Sequence, residues 1–274
     1  MPYVLESYRR YMEIMGLPPM GYCCSPFTMA VLARGYVPFL RDMKRNPEFA
    51  HRLLEFLAME VVVPWIDRIV EVTDASIIVM SDAWASAPNM TLEMIREFCL
   101  PYVEKVIRAT NSAMRTVVDS GSWGEREVAD PREILDIKME MMVPGNTFKA
   151  LRPFFLLVWT EDYEVVGIAP MRAYAEEKKV CLMLNVRPDL LESGTPEGIV
   201  ETVRGLIGEG GGDGRFVLLV NLVPVGTPVE KVHLAVAAAK QYGVYPLENS
   251  ASEPLRPPDY RSFEHWYRRE GLPV

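Results

Sequence analysis

The chain has 274 residues, and 49% of them are hydrophobic, which is enough to bury the core of one α/β domain. Its formal net charge of −8 argues against a nucleic-acid or anionic-membrane surface, since either needs clustered Lys and Arg. No apolar run reaches the ~18 residues of a membrane span, and the N-terminus lacks a signal-peptide core. Four cysteines without Cys-x-x-Cys spacing indicate reduced thiols, so we expect a cytoplasmic protein.

The first part of the chain alternates predicted helices with short strands. Residues 1–18 have the pattern of an amphipathic helix, and residues 20–24 have that of a strand. Ser25 and Pro26 then start a second helix. Residues 46–72 predict a long helix that is broken or kinked near Pro64. The apolar stripe that we expect to pack on the sheet consists of Phe49, Leu53, Phe56, Leu57 and Met59.

A buried strand at residues 75–80 leads to Asp82 and Trp84. Both follow the strand directly, at the carboxyl end where parallel α/β enzymes carry their working residues. An alternative remains open, in which Asp82 caps a turn and Trp84 packs beneath the loop. After a helix at residues 90–113, a strand at residues 115–118 leads to Asp119, a second candidate carboxylate.

The position of the next strand has two alternatives. A capping box at residues 130–133 starts a helix that runs to about residue 142. Beyond it, either residues 154–159 or residues 164–168 form the strand, and the distance to the following strand favours the second choice. In that case residues 146–163 are an insertion, whose aromatic side chains either line an apolar pocket or are buried in the core.

The last third of the chain contains two copies of one plan, an apolar strand followed by a helix that starts at Thr-Pro. The strands are residues 180–184 and 216–220, and we expect each to be buried on both faces. Thr195 and Thr227 are the expected N-caps of the two helices, and Glu230 would complete a capping box with Thr227. Strands and helices in this order predict a parallel sheet with right-handed crossovers.

Polar residues end both of these strands. Asn185 and Arg187 follow the first strand, and Asn221 follows the second. Arg187 would either hold a substrate carboxylate through two hydrogen bonds or pair with Asp189 nearby.

Four segments in this region resemble the uroporphyrinogen decarboxylase superfamily. They are an Asn-x-x-Pro turn, a Gly-Thr-Pro-Glu helix start, a Gly-rich loop and a final strand, at residues 185–188, 194–197, 208–214 and 216–221. The resemblance covers about residues 20–246, and it implies an α/β fold of the TIM-barrel type. We therefore expect a barrel-like domain at residues 1–246 and a C-terminal arm at residues 247–274.

The resemblance also implies that the barrel is incomplete. The segment from Gly21 to Thr28, which includes Tyr22, resembles the Gly-aromatic segment after the third strand of these barrels. About six of the eight strands are then expected in this chain. An open parallel sheet exposes two edges, so we expect the N-terminal helix, the tail or a second subunit to cover them.

The superfamily contains porphyrinogen decarboxylases and zinc-dependent methyltransferases that act with corrinoid proteins. The strand that ends at Asp119 carries a His-x-Cys-Gly zinc motif in those methyltransferases, which is absent here, so we expect no zinc. The tyrosine and the histidine of the decarboxylases fall on Leu32 and about Val220. Methyl transfer needs an activated leaving group, and Asp82 or Asp119 would supply a proton if its pKa is raised by burial.

The favoured function is methyl transfer involving a corrinoid protein or a small methylated substrate. Its predicted catalytic residues are Asp82 and Asp119, and its predicted substrate-binding residues are Tyr22, Trp84, Asn185, Arg187 and Asn221. The alternatives are a non-catalytic or half-site subunit completed by a partner chain, and a porphyrinogen decarboxylase-like lyase. The expected partners are a small-molecule substrate and a corrinoid protein, which would carry the corrinoid cofactor. We also expect a homo-oligomer or hetero-complex, with no binding to nucleic acid or membrane.

Overall fold

A computed structural model describes residues 2–16, 20–75, 77–110, 116–142, 155–212, 214–220, 222–247 and 254–255. The chain divides into two compact units, Met1–Val166 and Gly167–Val274. Helices and short strands alternate within each unit, as the hydrophobic pattern predicts.

The first unit contains a parallel sheet of three strands, β1 (Gly21–Cys24), β2 (Ile78–Asp82) and β3 (Thr116–Ser120). In its register Ser81 lies between Cys24 and Asp119, and Asp82 lies opposite Ser120. The carboxyl ends of the three strands are therefore level. This arrangement confirms the prediction of parallel strands in this part of the chain, and it brings the segments that follow them to one edge of the sheet.

The described helices of the first unit surround this sheet. They are α1 (Pro2–Met15), α2 (Pro26–Arg34), α3 (Tyr36–Arg45), α4 (Pro47–Phe56), α5 (Val63–Thr73), α6 (Leu92–Phe98), α7 (Leu100–Ala109), α8 (Arg132–Met142) and α9 (Thr160–Val166), with strand β4 (Phe155–Val158) before the last. The predicted cap of α2 is confirmed, because the Ser25 hydroxyl accepts a hydrogen bond from the Thr28 N–H. The predicted helix at residues 90–113 is instead two helices, which meet at Cys99 just before Pro101.

The predicted break near Pro64 is confirmed. A π-helical segment, Leu57–Val62, lies between α4 and α5, and Pro64 stands in the first turn of α5. Proline has no N–H to donate to the preceding turn, and the wider π-helical turn accommodates this loss. The predicted apolar stripe is wrong in part, because Phe56 is 57% exposed and the fully buried side chains of α4 are Ala50 and Leu54.

Strand β4 decides between the two alternatives for the following strand. Leu156 and Val158 are completely buried, whereas residues 164–166 belong to α9. The favoured choice of residues 164–168 is therefore wrong. The helix ends at Gly167, whose φ of 85° is one that glycine adopts readily, and this turn separates α9 from the next helix.

The outer edge of β1 is partly covered by the N-terminal helix, as expected. The Tyr8 hydroxyl of α1 accepts a hydrogen bond from the Tyr22 backbone N–H at 3.1 Å. Helix α1 also packs on α5. An edge donor that has a partner within the same chain is less available to the strand of another molecule.

The second unit contains a parallel pair of strands, β5 (Cys181–Asn185) and β6 (Phe216–Leu219). Its helices are α10 (Ile168–Lys178), α11 (Pro188–Ser193), α12 (Pro196–Gly210) and α13 (Val229–Tyr242). Thr195 caps α12 as predicted, accepting from the Gly198 N–H at 3.1 Å. The expectation that β6 is buried on both faces is wrong, since Val217 is 38% exposed.

The predicted cap at Thr227 is also wrong. Helix α13 begins at Val229, with Pro228 in the N-cap position. The Thr227 N–H donates to the Pro224 carbonyl at 3.0 Å, which fixes a turn and delays the start of the helix. The Thr227 hydroxyl is buried and finds no hydrogen-bond partner within the described part of the chain.

Candidate functional site

Asp82 lies at the carboxyl end of β2 and is completely buried. Its Oδ1 accepts a hydrogen bond from the Thr28 hydroxyl at 2.9 Å, and that hydroxyl accepts a longer one from the Trp84 N–H at 3.5 Å. Thr28 belongs to the first turn of α2, which follows β1, whereas Asp82 ends β2. The Thr28 hydroxyl therefore links the segments that follow two neighbouring strands. No donor for Asp82 Oδ2 lies among the residues that the structure describes.

Burial raises the pKa of Asp82 to about 6, while the hydroxyls of Ser25 and Thr28 favour the anion and oppose this effect. A carboxyl group with such a pKa is protonated in about half of the molecules at pH 6 and in about a tenth of them at pH 7. Its protonated form can donate, and Oδ2 has no competing partner in the described structure. Asp82 therefore has the properties of a proton donor.

Two cysteines lie close enough to Asp82 to be affected by its charge. Burial, followed by the charge of Asp82, raises the pKa of Cys24 at the end of β1 and that of Cys99. Burial likewise raises the pKa of Cys23 to about 12. These thiols stay protonated near neutral pH, and a thiolate is the form that binds a metal.

No three His, Cys, Asp or Glu side chains come together as a metal-binding group within the described ranges. The donors that the structure describes therefore do not fit a zinc centre, and no zinc-dependent step is assigned to them. The expectation that the chain binds no zinc therefore stays a prediction.

The aromatic residues predicted for this site lie in different places. Trp84 follows β2 and is 40% exposed, and its ring centre lies 4.9 Å from that of Tyr36. Tyr22 is 52% exposed and pairs in register with Val79, three residues before Asp82. Since a strand rises about 3.3 Å per residue, Tyr22 lies away from the carboxyl end of the sheet.

The loop that follows β3 is held by a buried ion pair that the sequence reasoning missed. The Lys138 ammonium of α8 lies 2.9 Å from Asp162 Oδ2 and donates to the Gly121 carbonyl at 3.0 Å. Asp162 also accepts backbone hydrogen bonds from Trp123 at 2.6 Å and Gly124 at 2.9 Å. Helix α8, the start of α9 and the loop after β3 are thus joined at one point.

Asp162 differs from Asp82 in its electrostatic surroundings. Burial alone would raise its pKa, but the charge of Lys138 and the hydrogen bonds from Lys138 and the backbone outweigh burial and lower the pKa. Asp162 therefore stays ionised and positions the loop, whereas Asp82 titrates near neutral pH.

The loops after β2 and β3 touch each other. The Ala87 N–H donates to the Ser122 carbonyl at 3.2 Å. A Cβ atom added to Gly121 would lie 2.5 Å from the Ala83 carbonyl oxygen, which is closer than real Cβ atoms come. Only glycine fits where the two loops approach each other, so Gly121 positions them. The sequence contains this glycine, but the contact that requires it is seen only in the structure.

The other predicted site residues either belong to the second unit or have a side chain that the structure does not describe. Asn185 is buried at the end of β5. Arg187 donates two hydrogen bonds to Asp189, at 3.1 and 2.7 Å, and this contact lowers the pKa of Asp189. Asn221 and the Asp119 side chain lie outside the described residues, although the Asp119 backbone pairs with Ser81.

The sequence contained a signal for one member of the buried pair. Lys138 is four residues after Ile134 and three before Met141, both fully buried, so it stands on the apolar face of a predicted helix. A lysine in such a place needs an acidic partner. The position of Asp162 depended on a strand that the sequence left undecided, so the partner could not be named.

Polar side chains at the carboxyl ends of parallel strands, linked by helices, are typical of α/β proteins. The uroporphyrinogen decarboxylase (URO-D) family model matches residues 1–242, and the chain belongs to this family. Among solved structures it is similar to a methyltransferase from Methanosarcina mazei, with 20% sequence identity and a TM-score of 0.61. The likeness covers 89% of this chain and 65% of that methyltransferase, so the chain spans less than two thirds of its length.

No curated protein sequence matches the chain. The predicted resemblance to the superfamily is confirmed, and the family match extends to the N-terminal helix, which the predicted range of residues 20–246 left out. None of the helices in the described ranges is both long and apolar enough to cross a membrane.

Proposed function

We propose that the chain is a methyltransferase that moves a methyl group from a small methylated substrate to a corrinoid carried by a partner protein. Membership of the URO-D family and the similarity of fold to a methyltransferase support the choice of this class. The donor site would lie at the carboxyl ends of β1, β2 and β3 in the first unit.

The observation that carries the proposal is the buried Asp82 with its raised pKa. A methyl group bound to oxygen or nitrogen leaves as a methyl cation equivalent more readily when the leaving atom receives a proton. In the proposed step the bond from methyl carbon to oxygen or nitrogen breaks, and a nucleophile takes the methyl group. The leaving atom takes the proton from Asp82 Oδ2, and the resulting carboxylate regains a proton from water. A reduced corrinoid would supply the nucleophile.

Thr28 has a defined part in this proposal. Its hydroxyl donates to Oδ1, which keeps that oxygen from carrying the proton and leaves Oδ2 to do so. The same bond fastens α2 to the end of β2, so it would hold Asp82 in one orientation. Because Asp82 is completely buried, a substrate can reach it only if the residues around it move.

The test is methyl transfer by the purified chain to cob(I)alamin, followed through the change of the cobalamin spectrum. The donors would be a methoxylated aromatic compound and a methylamine. Turnover with one of them is expected, and Asp82→Asn should lower kcat about 100-fold or more. Asp67→Asn, a change at an exposed position on α5, serves as the matched control and should leave kcat unchanged.

The pH profile tests whether activity follows the protonation of Asp82. Wild-type activity should fall as the pH rises through about 6, because Asp82 must be protonated. Absence of transfer from every donor, or equal activity of Asp82→Asn, would overturn the proposal. Decarboxylation of a porphyrinogen by the same preparation would support the lyase alternative, and inactivity that a partner chain relieves would support the half-site alternative.

A further inference from the structure

A positively charged pocket lies on α3, away from Asp82. Its volume is about 390 Å³, and its lining includes Leu40, Arg41, Lys44, Arg45, Asn89 and Met94. Pockets for small molecules begin at about 300 Å³. The hydrocarbon surface comes from Leu40 and Met94, and the polar surface comes from three cations and an amide.

The three cations lie close together because of the period of the α-helix. Arg41, Lys44 and Arg45 are separated by three and four residues, so they share one face of α3. Phe39 and Met43 occupy the opposite face and are buried in the core. The core contacts thus fix the orientation of α3, and the cationic face is held towards the pocket.

These cations are not neutralised by the part of the chain that the structure describes. Arg41, Lys44 and Arg45 form no ion pair there, and no acidic side chain lines the pocket. The neighbouring acid, Asp42, is bound to Arg34 at 2.7 Å instead. In a chain with a net charge of −8, three adjacent cations with no ion pair among the described residues are a local concentration of the minority charge.

The pocket adjoins the residues proposed for methyl transfer. Helix α3 begins at Tyr36, whose ring centre lies 4.9 Å from that of Trp84, and Asn89 belongs to the same loop after β2 as Trp84. A ligand in the pocket would therefore touch the loop that carries Trp84.

We infer that this pocket binds a small molecule that carries clustered negative charge, as phosphate or carboxylate groups, with its apolar part against Leu40 and Met94. Arginine binds both kinds of group through paired hydrogen bonds, and lysine adds a point charge. Three cations in a concave site match two or more negative charges. The inference concerns binding alone and does not depend on the proposed methyl transfer.

The test is calorimetric titration of the full chain at low salt with pyrophosphate and, separately, with citrate, which distinguish phosphate from carboxylate. Saturable binding of at least one is expected, and added sodium chloride should weaken it. The variant Arg41→Gln/Lys44→Gln/Arg45→Gln should lose affinity by at least about tenfold, since each charge-assisted hydrogen bond contributes that much. The matched control is Arg9→Gln/Arg10→Gln/Arg52→Gln, which removes the same charge from exposed positions elsewhere.

A second variant keeps the three cations and changes the pocket itself. Val37 is 61% exposed and also lines the pocket, so Val37→Glu should fold normally while its carboxylate competes with the ligand. Its affinity for the probe should fall, and its melting temperature should remain that of the wild type. Equal affinity of the wild type and the triple pocket variant, or no saturable binding of either probe, would overturn the inference.

Discussion

The Lys138 ammonium lies 2.9 Å from the Asp162 carboxylate, and neither side chain is more than 1% exposed. This ion pair joins α8 to the start of α9, and both partners also bind the loop after β3. Asp162 also accepts hydrogen bonds from the Trp159 backbone N–H at 3.0 Å and from the Ser122 hydroxyl at 3.2 Å. The pair therefore organises the connections on one side of the candidate site without taking part in proton transfer.

Replacing Lys138 with methionine should destabilise the protein by about 3–5 kcal/mol, because the Asp162 charge would stay buried without its partner. Urea unfolding of the variant and the wild type measures this difference. Arg96→Gln is the matched control, since it breaks an exposed pair with Glu140 at 2.7 and 2.8 Å and should cost less than about 1 kcal/mol. Equal losses in the two variants would contradict the assigned role of the buried pair.

Asp162 should make stability depend on pH in the direction opposite to Asp82. Its pKa is lowered in the folded state, so its stabilising contribution is complete above the ordinary carboxyl pKa of 3.8 and is lost as the pH falls through the lower folded value. The gap in unfolding free energy between wild type and Asp162→Asn should then be constant from pH 7 to about pH 5 and should narrow below pH 4. A gap that widens on acidification would show that the assigned direction of the pKa shift is wrong.

The sequence predicts features that depend on neighbouring residues and fails for features that depend on distant ones. Ser25 and Thr195 are correctly identified as caps because a cap acts within three residues. Thr227 fails because a turn to Pro224 competes with the helix start. Asp82 could be selected because it follows an apolar strand, but its burial depends on Thr28, which is distant in the sequence.

The choice between the two candidates for the strand before α9 shows the same limit. Residues 156–158 are as apolar as residues 165–168, and only the packing of the whole unit decides which segment is extended. Because Asp162 lies between these candidates, an error in the strand also hid the ion pair with Lys138. Local patterns therefore recovered the strand ends, whereas the contacts between their loops required the structure.

Asp82→Asn should stabilise the protein at pH 7.5 and have a smaller effect at low pH. The folded pKa of Asp82 is raised from 3.8 to about 6, so the folded state binds the proton more tightly than the unfolded state. Stability should fall as the pH rises from about 4 to 6, and the buried charge then costs about 3 kcal/mol. Asparagine carries no charge, so urea unfolding at pH 7.5 and pH 4 should show a gain that largely disappears at pH 4. An equal gain at both values would indicate that Asp82 does not titrate in this range.

Gly121→Ala tests whether the contact between the loops after β2 and β3 holds the site together. The added methyl group would lie 2.5 Å from the Ala83 carbonyl oxygen and 2.6 Å from the Ser86 Cβ atom, so the two loops must separate. We expect the free energy of unfolding, measured in urea, to fall by about 1–3 kcal/mol, as for other overpacked sites.

The matched control is Gly205→Ala in the exposed interior of α12, where no atom lies within 4 Å of the new methyl group. Alanine stabilises a helix relative to glycine by about 1 kcal/mol, so the control should shift stability in the opposite direction. If Gly121→Ala also proved neutral or stabilising, the loops would have room to move apart, and their close contact at Gly121 would not be needed to hold them.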